Sequence, residues 1–333
     1  VTLSQWLGSA LEATELEPSA QSENPENPAL PILAVEIGRD LAPVVRRAFP
    51  ERVATVRTRV AQDLGFFIPR VDLHVLGGLP PRGYRLSVRG VLMASGTLLP
   101  AEAVDTIALE LDLAARTQAA ALLTLDASQA LLDELAVEHP VAVAQALDKI
   151  GLPVLHAVFL GLLREQVGLR DLAGLVDALV GLADTASSAP LLIEHVRRSL
   201  APQIGQRVAD VNGVITALEL DANWDEDLAT LPGGFYAASG ERAISQDLQS
   251  ACREAIARLV PAGHRPVLIV PRRFRPLVAE ALVQVVPRLA VLAPDELAPR
   301  YEVRLVGRVE RPSRIADDVG LLTMPDRIAR PIV

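Results

Sequence analysis

The sequence predicts an α+β chain of several subdomains: a mixed α/β first subdomain, an all-helical middle subdomain and a small α/β C-terminal subdomain. Two observations carry this. The apolar periodicity is mixed up to about residue 118, becomes helical almost throughout to about residue 208, and then returns to alternating strands and helices. The chain has 333 residues, half of them apolar, with only 21 glycines and 25 prolines. It is therefore long enough for two or three folding units at about 150 residues each, and too apolar to stay unfolded.

Residues 1–28 contain Glu12, Glu15, Glu17, Glu23 and Glu26, no basic side chain, and the repeat Asn24-Pro25-Glu26-Asn27-Pro28. They read as a linker. Within it Leu3, Trp6, Leu7, Ala10 and Leu11 fall at helical spacing, a stripe too short to stand alone and therefore suited to docking. In the unit 29–118, Ile32–Ile37 predicts a strand, Arg39–Ala48 and Arg52–Leu64 two helices, and Gly65 a stop. Val71–Val75, Tyr84–Val88 and Val91–Ser95 predict strands, the last two joined by a tight turn at Arg89-Gly90. In the unit 119–208, Asp126-Ala127-Ser128-Gln129 has capping-box spacing. Pro140, Pro153 and Pro190 sit at first-turn positions, and Gly151 and Gly168 read as stops. Leu172, Leu175, Val176, Leu179 and Leu182 form one apolar stripe, so short antiparallel helices are expected. In the unit 209–310, strands at Val214–Leu220, Pro266–Val270, Leu289–Leu292 and Tyr301–Val309 alternate with helices at Glu241–Val260 and Phe274–Val286, the pattern of a mostly parallel sheet. Asn223–Ser239 reads as an irregular loop, and the tail 311–333 has no clear period.

A net charge of −9 argues against a general electrostatic grip on nucleic acid. One cysteine, Cys252, excludes an internal disulfide and a multi-cysteine metal site; it reads as a half-buried filler on its helix. One lysine, Lys149, serves the whole chain, every other basic side chain being arginine. It lies outside any Gly-Lys-Ser/Thr phosphate loop and reads as a helix-end cation before Gly151. The longest apolar stretch, Leu152–Leu163, is shorter than the roughly 20 residues of a membrane helix. The chain begins at Val1 and has no signal-peptide pattern, which reads as a piece of something longer.

The search for chemistry finds no catalytic set, metal site or cofactor motif. No two of His74, His139, His156, His195 and His264 lie within four residues of each other. His156 reads as a satisfied core histidine, His195 as exposed, and Asp72, Asp295 and Glu296 as solvated turn acids. No nucleophile elbow or dinucleotide-binding glycine motif follows a strand. The one anion-binding candidate is Arg272 and Arg273 at the start of a helix in the C-terminal layer, where an enzyme could hold a phosphorylated small molecule.

Several stretches taken together point elsewhere. Leu33-Ala-Val-Glu-Ile-Gly38, Arg57-Thr-Arg-Val-Ala-Gln-Asp-Leu-Gly-Phe66, Leu79-Pro-Pro-Arg-Gly-Tyr84 and Gly90-Val-Leu-Met-Ala-Ser-Gly96 are followed by Asp133-Glu-Leu-Ala-Val-Glu-His-Pro140 and Leu162-Leu-Arg-Glu-Gln-Val-Gly-Leu-Arg170-Asp171. His195-Val-Arg-Arg-Ser-Leu200, Pro266-Val-Leu-Ile-Val270 and Pro287-Arg-Leu-Ala-Val-Leu292 complete the order. This series resembles the cytosolic part of the export-gate family, which contains the large inner-membrane gate of flagellar and virulence type III secretion systems. The resemblance implies a protein of the bacterial inner membrane, anchored through a region preceding Val1, whose cytoplasmic half is not an enzyme. It implies a nonameric homo-oligomeric ring that receives export substrates, their chaperones and the stalk of the export ATPase. The family inserts a second subdomain after Pro100; here Ala101–Arg116 passes almost at once into the helical part. In a ring of this kind, Arg164, Glu165, Arg170 and Asp171 offer both signs of charge for a head-to-tail contact, and Leu3, Trp6 and Leu7 a strap onto the neighbour.

Overall fold

Leu33, Val35 and Ile37 alternate inward along β1 (Leu33–Ile37) and are fully buried, which makes this strand the anchor of the first sheet. The computed structural model describes residues 31–183, 188–229, 239–260, 263–283, 285–286 and 289–311. The acidic segment and its Leu3, Trp6 and Leu7 lie outside them, as does the tail from 312. In the first sheet β1 pairs in parallel with β2 (Asp72–Val75) and antiparallel with β3 (Gly83–Val88), and β3 pairs antiparallel with β4 (Val91–Thr97). The order is β2-β1-β3-β4. Arg89 and Gly90, at φ of 48° and 78°, form the left-handed two-residue turn expected between β3 and β4.

The sequence predicts two helices parted near Pro50, but one helix, α1 (Ala42–Leu64), runs through it. Val45, Phe49, Val56, Val60 and Leu64 keep a single buried stripe on both sides of the proline. Packing of that stripe against α2 (Pro100–Thr117) outweighs a helix-interior proline, which costs about 3 kcal/mol. Gly65, at φ 82°, ends α1. Between β4 and α2 only Leu98 and Leu99 intervene.

The middle region consists of α3 (Ala119–Leu122), α4 (Leu125–Glu138), α5 (Pro140–Lys149), α6 (Leu152–Arg164), α7 (Leu172–Leu182), α8 (Ala189–Ser199) and α9 (Ala201–Val208). The N-cap of α4 is Thr124, whose hydroxyl accepts from the Ala127 N–H at 3.1 Å, two residues earlier than the Asp126 spacing predicts. Threonine caps by the same oxygen chemistry, so composition alone does not separate the two positions. Gly168 is not a helix stop: α6 ends at Arg164, and Gly168 instead lets two backbones meet, a Cβ there falling 2.6 Å from the Asp63 carbonyl oxygen. Gly65 does the same from the other side, its missing Cβ facing the Leu169 carbonyl carbon at 2.4 Å, and the Leu169 N–H donates to the Leu64 carbonyl at 2.7 Å. The segment 165–171 is thereby fastened to the end of α1.

The last region is a four-stranded, wholly parallel sheet ordered β7-β6-β5-β8, from β5 (Val214–Leu220), β6 (Val267–Ile269), β7 (Ala290–Leu292) and β8 (Glu302–Val309). A parallel sheet is covered on both faces. Ile215 and Ala217 join the main core shared with the helices and the first sheet, whereas Leu218 and Leu220 join a second core. That second core includes side chains of α10 (Asp225–Ala229), α11 (Ser239–Leu259) and α12 (Arg275–Val283). The loop expected at Asn223–Ser239 begins instead as a 3-10 turn, Ala222–Trp224, and α10; residues 230–238 lie outside the described set. Trp224 accounts for the difference: it is fully buried, its Nε1 donating to the Val309 carbonyl at 3.0 Å, and it pins the turn to the sheet. Among the described residues no single helix is long and apolar enough to cross a membrane.

Candidate functional site

Five charged side chains meet where the helices face the parallel sheet. Glu165 follows the last residue of α6, and Glu194 and Arg197 lie three apart on one face of α8. Arg275 opens α12, and Glu296 closes the 3-10 turn Pro294–Glu296 after β7. Arg197 forks onto Glu296, Nε to Oε1 at 2.6 Å and Nη2 to Oε2 at 3.0 Å, and its Nη1 donates to Glu165 Oε2 at 3.0 Å. Arg275 donates to Glu165 from Nη1 at 2.5 Å and from Nη2 at 3.1 Å, to Glu194 from Nε at 2.7 Å, and again to Glu194 from Nη2. The Arg197 and Arg275 side chains are 2% and 1% exposed and Glu296 1%, while Glu165 keeps 22%.

Such groups are tolerated only as a set, because an unpaired buried charge is expensive. Burial alone would lower the Arg197 and Arg275 values, yet the carboxylates of Glu165, Glu296 and Glu194 more than reverse it and raise both. Burial alone would raise the Glu165 carboxyl, and Arg197 and Arg275 together hold it below its ordinary value. The chemistry of this site is geometric: two planar guanidinium forks fix the angle between α6, α8 and the C-terminal sheet.

The expected roles of several residues change here. Glu296 is not a solvated turn acid; it is buried, and its Oε2 also accepts from the Ala293 N–H at 3.2 Å. Arg272 and Arg273 are not an open anion site, because the chain supplies the anions itself. Arg272 pairs with Asp295 and donates from Nη2 to the Glu194 carbonyl at 2.8 Å, and Arg273 pairs with Asp225 at 2.5 Å. Asp295 also accepts from Arg198 Nε at 2.7 Å; burial pushes its carboxyl up, and the two arginines outweigh that and hold it down. Of the residues expected at a subunit contact, Arg164 and Arg170 are exposed. Asp171 caps α7, accepting from the Gly174 N–H at 3.0 Å, and Glu165 faces inward into the network. His156 Nδ1 lies 2.8 Å from Ser128 Oγ, a satisfied partner, whereas His195 is half-buried, not exposed. Cys252 is fully buried, and burial pushes its thiol up to about 12. Sequence reasoning missed the five-group network because its members are up to 131 positions apart between Glu165 and Glu296; the only sequence signal was an arginine or glutamate on an otherwise apolar helix face.

A second feature lies beside it. A cleft of about 1010 Å³ opens between the ends of α1 and α2, the 165–171 segment, α9 and the strand entry at Gly263–Pro266. Arg116, Arg170, Arg207, His264 and Arg265 line it.

The export-gate resemblance agrees with comparison to known proteins. The FHIPEP family model matches residues 8–106 and 101–302, and this chain belongs to that family. The two matched stretches meet at 101–106, within α2, immediately after the two-residue connection that follows β4. The flagellar biosynthesis protein FlhA of Salmonella typhimurium is 26% identical over 332 residues, covering 83% of this chain and 47% of that protein. The chain thus spans about half the length of the curated relatives it matches. The Chlamydia pneumoniae CdsV and CdsO protein complex contains a chain of similar fold, with TM-score 0.75 at 19% identity over 86% of this chain and all of that one. A nonameric EPEC SctV-C is similar at TM-score 0.70 and 13% identity, covering 85% of this chain and 99% of the other.

Proposed function

We propose that this chain is the cytoplasmic, ring-building half of an inner-membrane export gate in a type III secretion system of flagellar or virulence kind. The observation that carries the reading is the family match across nearly the whole described length, joined to a fold shared with chains that are nonameric in a relative. The mechanical units are 29–118, 119–208 and 209–310, with 1–28 as a spacer whose Leu3, Trp6 and Leu7 strap onto a neighbouring subunit and 311–333 as a tail. Export substrates and their chaperones dock on the ring, as does the stalk of the export ATPase; nucleic acid does not. The protein works by assembly and carries out no bond-making of its own.

A closed ring needs each subunit to hold one fixed angle between its two contact surfaces, and the Arg197–Arg275 network supplies stiffness between the middle and last regions. Arg164, Arg170 and Asp171 at the outer end of the 165–171 segment contribute the head-to-tail contact, while Glu165 in the same segment holds the angle from inside. Sedimentation of the purified chain over rising concentration, with electron microscopy of the heaviest species, tests the reading. Rings of about nine subunits are expected, weakened by Arg164→Glu with Arg170→Glu; a chain that stays monomeric even when tethered at high local concentration refutes it.

A further inference from the structure

The first sheet leaves two arginines without an acid, beside the point where the chain enters it. Residues 73–101 carry Arg82, Arg85 and Arg89 and no acidic side chain. Arg82 reaches Asp40 at 3.9 Å. Arg85 and Arg89 form no ion pair among the described residues, although Glu36 stands opposite Arg85 in the register. Arg89 donates from Nε to a neutral acceptor, the Ala121 carbonyl, at 2.6 Å, and both arginines are exposed. Along β3 the buried Tyr84, Leu86 and Val88 alternate with Arg85 and Ser87, so Arg85 belongs to the outer face of the sheet. Leu92 of β4 lies opposite Ser87, the residue midway between the two arginines, and is 55% exposed beside Val91 at 64%. β4 is an edge strand, and from Val91 to Thr97 it has no charged residue to keep another segment away. The patch thus joins an exposed apolar centre to two unpaired cations.

The same chain supplies a complement at short range. The Ile32 carbonyl accepts from the Arg89 N–H at 2.8 Å, so the segment preceding it starts beside these arginines. Residues 1–30 hold five glutamates and no basic side chain. Glu26 is six positions before Ile32, which keeps it within about 20 Å of that hydrogen bond even at full extension. Pro25, Pro28 and Pro31 recur at every third position, the period of an extended polyproline helix, which sets Glu23 and Glu26 on one edge about 9 Å apart. Four strand positions, about 13 Å, separate Arg85 from Arg89, and their long side chains span the difference. Proline lacks the N–H that a ladder needs, so this segment suits the open face of the sheet and not its edge.

We propose that Glu23 and Glu26 dock on Arg85 and Arg89 of the same chain and lay residues 23–30 across Leu92. Exposed ion pairs are individually weak; tethering makes these effective, because it holds the acids at high local concentration. The contact fixes the direction in which residues 1–22 leave the sheet. It does not depend on ring formation, since both partners belong to one chain.

The test is a distance measurement by pulsed electron spin resonance on the full chain, labelled at Ser22→Cys and Thr97→Cys, with the buried Cys252 left unlabelled and the thermal midpoint of each variant checked against the parent. A narrow distance distribution is expected at low salt and a broad one at about 1 M salt. Glu23→Gln with Glu26→Gln is expected to cut the narrow fraction at least about twofold, as is Arg85→Gln with Arg89→Gln, while Glu12→Gln with Glu15→Gln leaves it unchanged. Arg85→Glu with Arg89→Glu is expected to abolish it, and the addition of Glu23→Arg with Glu26→Arg to restore it. Excess unlabelled chain leaves the narrow distance in place. A broad distribution at low salt overturns the proposal, as does a narrow one that survives neutralisation of either pair or that the swapped charges fail to restore. Loss of the narrow distance on dilution with unlabelled chain also overturns it, because the segment then sits on a second copy.

Discussion

The arginines of the inter-region network and those of the cleft share adjacent acceptors, Glu165 serving Arg197 and Arg275 and Gln166 serving Arg207 and Arg265. What separates them is the acceptor. Arg197 and Arg275 are nearly inaccessible and yet their values are raised, because three carboxylates surround them; Arg207 is more accessible and its value falls to about 10, because burial and then the neighbouring Arg265 and Arg116 outweigh the pull of Asp63. Burial alone therefore does not decide whether a cation stabilises a fold. The charges around it decide as well, and one peptide bond in the 165–171 segment separates a carboxylate acceptor, Glu165, from an uncharged one, Gln166.

The sharpest way to break this contrast is Arg275→Met. It takes from Glu194 its arginine partner and leaves Glu165 with Arg197 alone, and urea unfolding is expected to show a loss of about 3–5 kcal/mol. Adding Glu165→Gln and Glu194→Leu is expected to return most of it; if the triple variant is no better than the single, the network is not the lock. Gly65→Ala comes next. It forces a side chain into left-handed backbone against the Leu169 carbonyl, and a loss of about 1–3 kcal/mol is expected in the same assay, with both arginine systems loosened because both hang on the 165–171 segment. The acid limb of stability sharpens the comparison further. The folded-state value of Glu165 is lowered, so between it and the ordinary 4.5 the folded chain binds fewer protons than the unfolded one. Its contribution is full above that ordinary value and lost as pH falls through the lowered one; thermal midpoints measured from pH 7 to 3 should drop less steeply in Glu165→Gln. The smallest effect concerns Cys252. A thiol raised to about 12 stays protonated in the fold, so its contribution is full below the ordinary 9 and lost as pH rises through about 12. At pH 8 a disulfide reagent should label it only after unfolding.

Sequence periodicity disclosed most of the elements, including every strand of both sheets, because alternating and 3.6-residue patterns are local. It misplaced what depends on distant partners. Pro50 passes inside a helix because α2 holds the stripe on either side of it, and Thr124 caps in place of a residue with equal capping chemistry. Trp224 orders a stretch that reads as loop because its indole finds an acceptor 85 positions away. The candidate site was legible in parts: Glu165 and Asp171 stand out as charged residues in an apolar setting, but their inward and capping roles follow from three-dimensional neighbours. Arg272 and Arg273 were legible as cations and not as occupied ones, since Asp295 and Asp225 reach them from other turns.

Leu98 and Leu99 leave almost no slack between the outermost strand of the first sheet and α2. A pull on that strand cannot be absorbed by a yielding loop; it is transmitted to the α1–α2 pair and, through Gly65 and Leu169, to the 165–171 segment. The first sheet and the arginine lock thus behave as two ends of one tie rod.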